Sequence, residues 1–374
     1  MILAVLAAGC SLLAACSDDK DSNSSATTAV ITTLDTGSTT ASSAAPTTVD
    51  IASQWETVVA PADCMCSDGS PFQYFVREAD PTKVLFFMEG GGACFSAETC
   101  GPDSESYKKT AGDGPLGEAA GQGIFDFANP ANPFADYSIV FVPYCTGDVH
   151  IGNTTTDYGD GVVVHHNGYV NGTTALAAMA ELFPDVTKLV VAGESGGSIP
   201  SPLYAGLAHD LLPNAGITVL ADGSGAYPDV PAINALIGSQ WGTMNAIPAW
   251  PETAGVTVET WSLPGLFIVA GKHDPAILFA RHDYAFDHTQ VAFAGLAGIP
   301  ADDLVSLIDS NEAAIEATGI SQWSYTSPGD AHTVLHKPDF YTETVNGVQL
   351  VDWVWALLAG DTMADVHCTE CTTA

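Results

Sequence analysis

The stretch that most constrains this chain runs from Leu189 to Ser198, Leu-Val-Val-Ala-Gly-Glu-Ser-Gly-Gly-Ser. Its first four residues are a short apolar run, the pattern of a strand buried on both faces. Gly193-Glu194-Ser195-Gly196-Gly197 then fits G-x-S-x-G. The glycines leave room for a sharp strand-to-helix turn that side chains would block. From about Ser201 to Leu212 the spacing predicts a helix, with Leu203, Leu207, Leu211 and Leu212 on one face. A strand, a tight turn with serine at its apex and a helix form the context of a nucleophile elbow. The Ser195 hydroxyl would stand at the C-terminal edge of a parallel sheet, against a helix N-terminus that favours developing negative charge. The plainer alternative is a glycine-rich turn with an idle serine, and the rest of the chain must decide between them.

Buried strands recur along the chain. Phe72 to Val76 follows the turn cluster Cys66-Ser67-Asp68-Gly69-Ser70-Pro71. Lys83 to Met88 is a second, and it ends in Glu89-Gly90-Gly91-Gly92-Ala93-Cys94. Three glycines after a strand let bare backbone N–H groups approach a ligand oxygen, so Gly91 and Gly92, with the N–H of Gly196, are candidates for an oxyanion hole. Tyr137 to Pro143 is a third strand, with Asp148 and His150 just beyond its end as site-lining or turn-capping residues. His165 and His166 read as helix-entry or solvent-facing residues. After the elbow, strands are expected at Ile217–Ala221, Ala276–Ala280 and Trp323–Thr326, and helices at 301–318 and 346–358. Strands alternating with helices predict a single α/β domain, α/β-hydrolase-like, with a mostly parallel sheet wrapped by helices.

Charge narrows the function classes. Nine Lys and Arg stand against 44 Asp and Glu, a formal charge of −35 over 374 residues. So few cations argue against a nucleic-acid or anionic-membrane partner. Residues 1–16 read as an export signal, because Ile2 to Ala15 is apolar but too short to span a bilayer. Leu13-Ala14-Ala15-Cys16 resembles a bacterial lipoprotein box, so the only membrane contact expected is an N-terminal lipid anchor, with simple secretion as the alternative. Residues 17–50, rich in Ser, Thr, Ala and Asp, read as a disordered tether, leaving 51–374 as the catalytic domain. Outside the signal remain Cys64, Cys66, Cys94, Cys100, Cys145, Cys368 and Cys371. An exported chain keeps disulfides. Cys94 with Cys100 closes a small loop, Cys368 with Cys371 another, and the odd count leaves one thiol free. The C-x-C and C-x-x-C spacings lack a histidine framework between them, so no metal is implied, and no cofactor either.

A serine nucleophile needs a base, and the base an orienting acid, in the chain order Ser, Asp or Glu, His. His332 follows the last expected strand on the turn Ser327-Pro328-Gly329-Asp330-Ala331 and is the first candidate for the base, with His336 its rival. Asp287, in the loop after the 276–280 strand, is the candidate acid. Asp222, Asp274 and Asp283 compete with it, Asp222 because it ends the strand next after the elbow.

At this point several separated blocks, taken in order, resemble the pectin acetylesterase/Notum family of serine carboxylesterases. They are the Cys66–Pro71 cluster, the Glu89–Cys94 loop with Cys100, Val142-Pro143-Tyr144-Cys145-Thr146-Gly147-Asp148-Val149, Gly193–Gly197, Tyr284-Ala285-Phe286-Asp287 and Ala331-His332. The resemblance implies Asp287 rather than Asp222 as the acid and a bond between Cys66 and Cys145. It departs at Ala93, where plant members carry tryptophan, and at Gly-Gly-Ala-Cys, where animal members have Gly-Trp-Tyr-Cys. Smaller residues there alter the acyl pocket and place the chain in a bacterial branch. The expectation is an exported esterase whose partner is an ester substrate, a short acyl group, acetyl first, on a carbohydrate such as pectin. A lipase- or polyester-type enzyme with a longer acyl pocket is the alternative, and a non-catalytic surface binding protein on a hydrolase scaffold the third.

Overall fold

In chain order the strands and helices are β1 (Glu56–Val59), β2 (Gln73–Arg77), β3 (Asp80–Met88), α1 (Ala97–Cys100), β4 (Tyr137–Val142), β5 (Thr154–Asp157), β6 (Val163–His166), α2 (Gly168–Leu182) and β7 (Lys188–Glu194). They continue as α3 (Ser201–Leu211), β8 (Gly216–Asp222), α4 (Pro231–Trp241), α5 (Leu263–His273), β9 (Leu278–Tyr284), α6 (His288–Leu296) and α7 (Leu304–Glu316). Last come β10 (Gln322–Ser327), β11 (Thr344–Val345), β12 (Val348–Gln349), α8 (Leu350–Ala359) and β13 (Val366–His367). The computed structural model describes residues 54–369 and 371–373. The export signal at 1–16 and the tether at 17–50 lie outside the described residues, as do residues 51–53 at the start of the expected catalytic domain. The described residues form one compact unit.

One nine-stranded sheet, in the order β1-β2-β4-β3-β7-β8-β9-β10-β13, organises the described chain. From β4 onward every pairing is parallel, and only β1–β2 and β2–β4 are antiparallel. Alternate residues of each strand serve opposite faces. Val84, Phe86 and Met88 of β3 join a core with Tyr204 and Ala205 of α3 and Phe267 of α5. Leu85 and Phe87 join the other core, with Phe125, Phe340 and Trp353 of α8. Both faces are covered, which is why these strands read as continuous apolar runs rather than alternating ones. Each such Phe or Leu contributes roughly 1.5–3 kcal/mol on burial.

The structure differs from the sequence reading in three places that matter. The strand expected at Ala276–Ala280 lies at Leu278–Tyr284, so Arg281, His282 and Asp283 are inside the sheet rather than in a loop. Their buried polar side chains are tolerable because each finds partners there: His282 meets Asp222 and Ser327 at the ends of β8 and β10, Asp283 accepts from Gly225 N and Gln290 Nε2, and Arg281 donates to the Gly225 and Ile308 carbonyls. The helix expected over 346–358 begins only at Leu350, because Asn346 (φ 51°) and Gly347 (φ 84°) form the turn between β11 and β12. His166 is neither a helix-entry nor a solvent-facing residue. It is fully buried in the β5–β6 hairpin, between the Thr146 carbonyl and the Tyr158 hydroxyl.

Candidate active site

The chain leaves β7 at Glu194 and turns at once. Ser195 takes φ 52°, a left-handed backbone that serine adopts only under constraint. The constraint is close packing. A Cβ at Gly193 would overlap the Gly197 carbonyl, and one at Gly197 would overlap the Met88 carbonyl. A Cβ at Gly90 would lie 2.7 Å from Ser195 Cβ. The elbow and the glycine loop therefore fit together only as glycine.

The glycine loop is braced from beneath. Glu89 accepts from Lys108 Nζ at 2.8 Å and from the Tyr144 N–H at 3.0 Å, and burial pushes its carboxyl up while these partners pull it down. Its carbonyl accepts from His150 Nε2 at 2.9 Å. Burial drives His150 down to about 4, so it stays neutral with Nε2 as donor. Asp148 does not line the site. It accepts from Thr146 Oγ1, His150 N and Gly168 N, capping the entry to α2. Among the described residues, the N–H groups of Gly91 and Gly92 meet no acceptor. Gly91 N lies 3.9 Å from where a Gly196 Cβ would be, so the three candidate oxyanion residues converge beside Ser195.

His332 and Asp287 come together from two loops. His332 Nδ1 donates to Asp287 Oδ2 at 2.7 Å. Asp287 is fully buried and is also the N-cap of α6, its Oδ1 accepting from Thr289 N at 2.8 Å and Gln290 N at 3.0 Å. Gln290 Nε2 donates to Oδ2 at 3.1 Å. Asp287-x-x-Gln290 is a capping signature visible in the sequence, and it would have marked this aspartate as fixed. The other ring nitrogen, His332 Nε2, is buried and has no hydrogen-bond partner among the described residues. Ser195, His332 and Gly92 line one open cleft of about 780 Å³.

The rivals go elsewhere. His336 pairs through Nδ1 with Glu194, the residue before Ser195. Burial lowers the imidazole, but Glu194 outweighs it and raises the pKa above its ordinary value. Asp274 pairs with His209, 3.0 Å apart. Asp283 accepts from Gly225 N and Gln290 Nε2. Asp222 accepts from His282 Nδ1 at 2.8 Å and from Val334 N and Leu335 N at 2.7 and 2.9 Å. Burial pulls that carboxyl up, yet these bonds hold it below its ordinary value. Sequence reasoning missed the Glu194–His336 pair, the Glu89 brace and Gln290. Glu89 stands directly before the three glycines, the one local signal it carries.

Cysteine chemistry is structural. Among the described residues Cys66–Cys145, Cys94–Cys100 and Cys368–Cys371 are bonded, and Cys64 is free and buried. Among the described residues, two groups bring three candidate ligand atoms within 4.8 Å of one another, Cys94/Cys100/His166 and His367/Cys368/Cys371. In both, the two sulfurs are bonded to each other, and a disulfide sulfur is not the thiolate a metal needs.

A second cavity meets the cleft at Ser195. It holds about 90 Å³ and is apolar, lined by Ala93, Val149, Ile199, Ile237, Trp241, Trp261 and Phe293 among others. Fold and site together define an α/β protein of the hydrolase kind, with a serine elbow, a histidine–aspartate pair and two chambers meeting at the serine. Residues 47–242, more than half of the chain, match the pectinacetylesterase family model, and the chain belongs to that family. Over 93 residues it is 36% identical to the palmitoleoyl-protein carboxylesterase notum2 of Xenopus laevis, covering 24% of this chain and 19% of that protein. Over 92 residues it is 36% identical to an inactive palmitoleoyl-protein carboxylesterase, notum1b of Danio rerio, covering 24% of this chain and 66% of that protein. The chain thus spans under two thirds of the length of these relatives. The structure of the Wnt deacylase Notum from Drosophila superimposes with a TM-score of 0.60 at 15% identity, covering 84% of this chain and 96% of that one, a likeness of fold.

Proposed function

We propose that the protein is a serine carboxylesterase. Ser195 attacks the ester carbonyl, and His332 Nε2 takes its proton and later returns it to the leaving alcohol. Asp287 holds the His332 tautomer and stabilises the imidazolium. The N–H groups of Gly91, Gly92 and Gly196 receive the oxyanion. A positioned base supplies about 10²–10⁴-fold, and each oxyanion donor about 10²–10³-fold. The observation that carries this reading is the position of Ser195 at the junction of an apolar cavity and a wider cleft that carries charged side chains and also holds His332. The cavity suits the acyl group and the cleft the alcohol. A relative named inactive makes the residues themselves the stronger support, and serine, histidine and aspartate are all present here.

The two acyl readings part on length. Membership of the pectinacetylesterase family supports acetyl on a carbohydrate. The cavity supports a longer chain: one water needs about 10–15 Å³, so about 90 Å³ takes several heavy atoms beyond an acetyl methyl. Nitrophenyl esters of rising chain length decide between them. A maximum at acetate selects the deacetylase, a maximum at four to eight carbons selects the longer pocket, and no turnover at any length sinks the esterase reading in favour of a binding protein. Three disulfides fit an oxidising, extracytoplasmic setting. Lipid anchoring through Cys16 is tested by membrane fractionation of a Cys16→Ser chain.

A further inference from the structure

Beneath the candidate triad lies a second chain of aspartate, histidine and serine. Asp222 ends β8, His282 is its register partner on β9, and Ser327 ends β10. His282 Nδ1 donates to Asp222 Oδ1 at 2.8 Å, which fixes the tautomer, so Ser327 Oγ donates to His282 Nε2 at 3.0 Å. The polarity is that of a resting triad, yet all three side chains are fully buried. No substrate reaches Ser327, and this chain performs no attack.

Its two ends grip both loops of the site. Asp222 Oδ2 accepts from the N–H groups of Val334 and Leu335, just after His332. The Ser327 carbonyl accepts from Ala285 N at 2.9 Å, two residues before Asp287, and Gly329 O accepts from Phe286 N at 3.0 Å. The base loop is also pressed against the end of β8. A Cβ at Gly223, whose φ is 77°, would lie 2.9 Å from Thr333 Cγ2 and 3.4 Å from His332 Cε1. Thr333 itself is held at φ 62°. A loop in so strained a backbone keeps its place only when its surroundings over-determine it.

We propose that Asp222, held by His282 and Ser327, is a positioning residue that sets His332 against Asp287. The inference rests on the triad reading above. Removing Asp222 leaves two backbone donors without their acceptor and frees the segment after His332. A displacement of about 1 Å costs on the order of 10²-fold in rate. Asparagine at the same position keeps an oxygen for Val334 and Leu335. Its amide then faces His282 Nδ1, and His282 accommodates it by moving its proton to Nε2 and donating to Ser327 Oγ.

The test compares wild type, Asp222→Ala, Asp222→Asn and Ser327→Ala. Two readouts are used: kcat and KM on a soluble nitrophenyl ester, and the downfield imidazole N–H resonance of His332, assigned by its loss in His332→Gln. Asp222→Ala is expected to lower kcat by about 10–100-fold with KM little changed, and to shift or abolish the resonance. Asp222→Asn restores both, and Ser327→Ala shows a smaller loss in the same direction. Should Asp222→Ala not fold, Ser327→Ala and Asp222→Asn carry the comparison. An unchanged resonance and kcat in Asp222→Ala, or in Ser327→Ala where that variant stands in, overturns the proposal, as does an asparagine variant as impaired as the alanine. If the wild type shows no turnover, the esterase reading falls, and the His332 resonance still decides the positioning.

Discussion

Asp287→Asn separates the two aspartates that the sequence left in competition. Asp287 Oδ1 accepts two α6 N–H groups, so the oxygen of an asparagine must stay there. Its amide nitrogen is then forced into the Oδ2 position, facing His332 Nδ1 and Gln290 Nε2. Gln290 cannot turn over to help, because its Oε1 accepts from Ala226 N at 2.9 Å and its Nε2 donates to Asp283 at 2.9 Å. The amide must therefore donate to His332 Nδ1, which places the ring proton on Nε2 and leaves no base for Ser195. The loss of kcat is expected to be on the order of 10³–10⁴, the size that the same exchange reaches in a serine-protease triad. One Gln290 N–H loses its acceptor, a cost of about 1–3 kcal/mol, while the helix cap survives. Asp222→Asn differs, since His282 can switch tautomer around it, and kcat should stay within about 10-fold of wild type on that account. Steady-state kinetics of both variants on nitrophenyl acetate, with thermal melts, make the comparison. A near-wild-type Asp287→Asn beside an inactive Asp222→Asn refutes the reasoning and moves the acid to Asp222.

Ser195→Ala is expected to lower kcat by on the order of 10⁶-fold with an unchanged melting temperature, and turnover close to wild type would remove the nucleophile assignment. Ile237→Trp, which fills the apolar cavity from α4, should depress kcat/KM for a hexanoyl or octanoyl ester by about 10-fold or more and leave acetate nearly untouched; equal losses on both would show that the cavity is not the acyl site. Burial holds His166 down at about 4, below its ordinary 6.5, so the stability it confers is present above about 6.5 and lost as pH falls toward 4. His166→Gln should therefore show a smaller drop in urea midpoint between pH 7 and pH 4.5 than wild type, and equal drops would exclude this coupling.

The parts of this protein legible in its sequence are those set by local chemistry. Gly193 and Gly197 around Ser195 announce a turn whose packing leaves no room for a side chain, and Val84–Met88 and Leu189–Ala192 announce strands covered on both faces. The run of three glycines after β3 showed where backbone donors could gather. What the tertiary structure decided is which side chains meet across the sheet edge. His332 and His336 lie four residues apart in one loop with the same titratable ring, yet Asp287 takes one and Glu194 the other. Asp222 and Asp287 both follow or end sheet strands, and each accepts from two backbone amides and one imidazole, yet the imidazole on Asp287 is His332 at the cleft and the one on Asp222 is the buried His282. Partners of this kind come from strands and loops distant in the chain, brought together by sheet order and register. No local pattern encodes which carboxylate will face which imidazole, because that choice is fixed by the packing of β7, β8, β9 and β10 side by side.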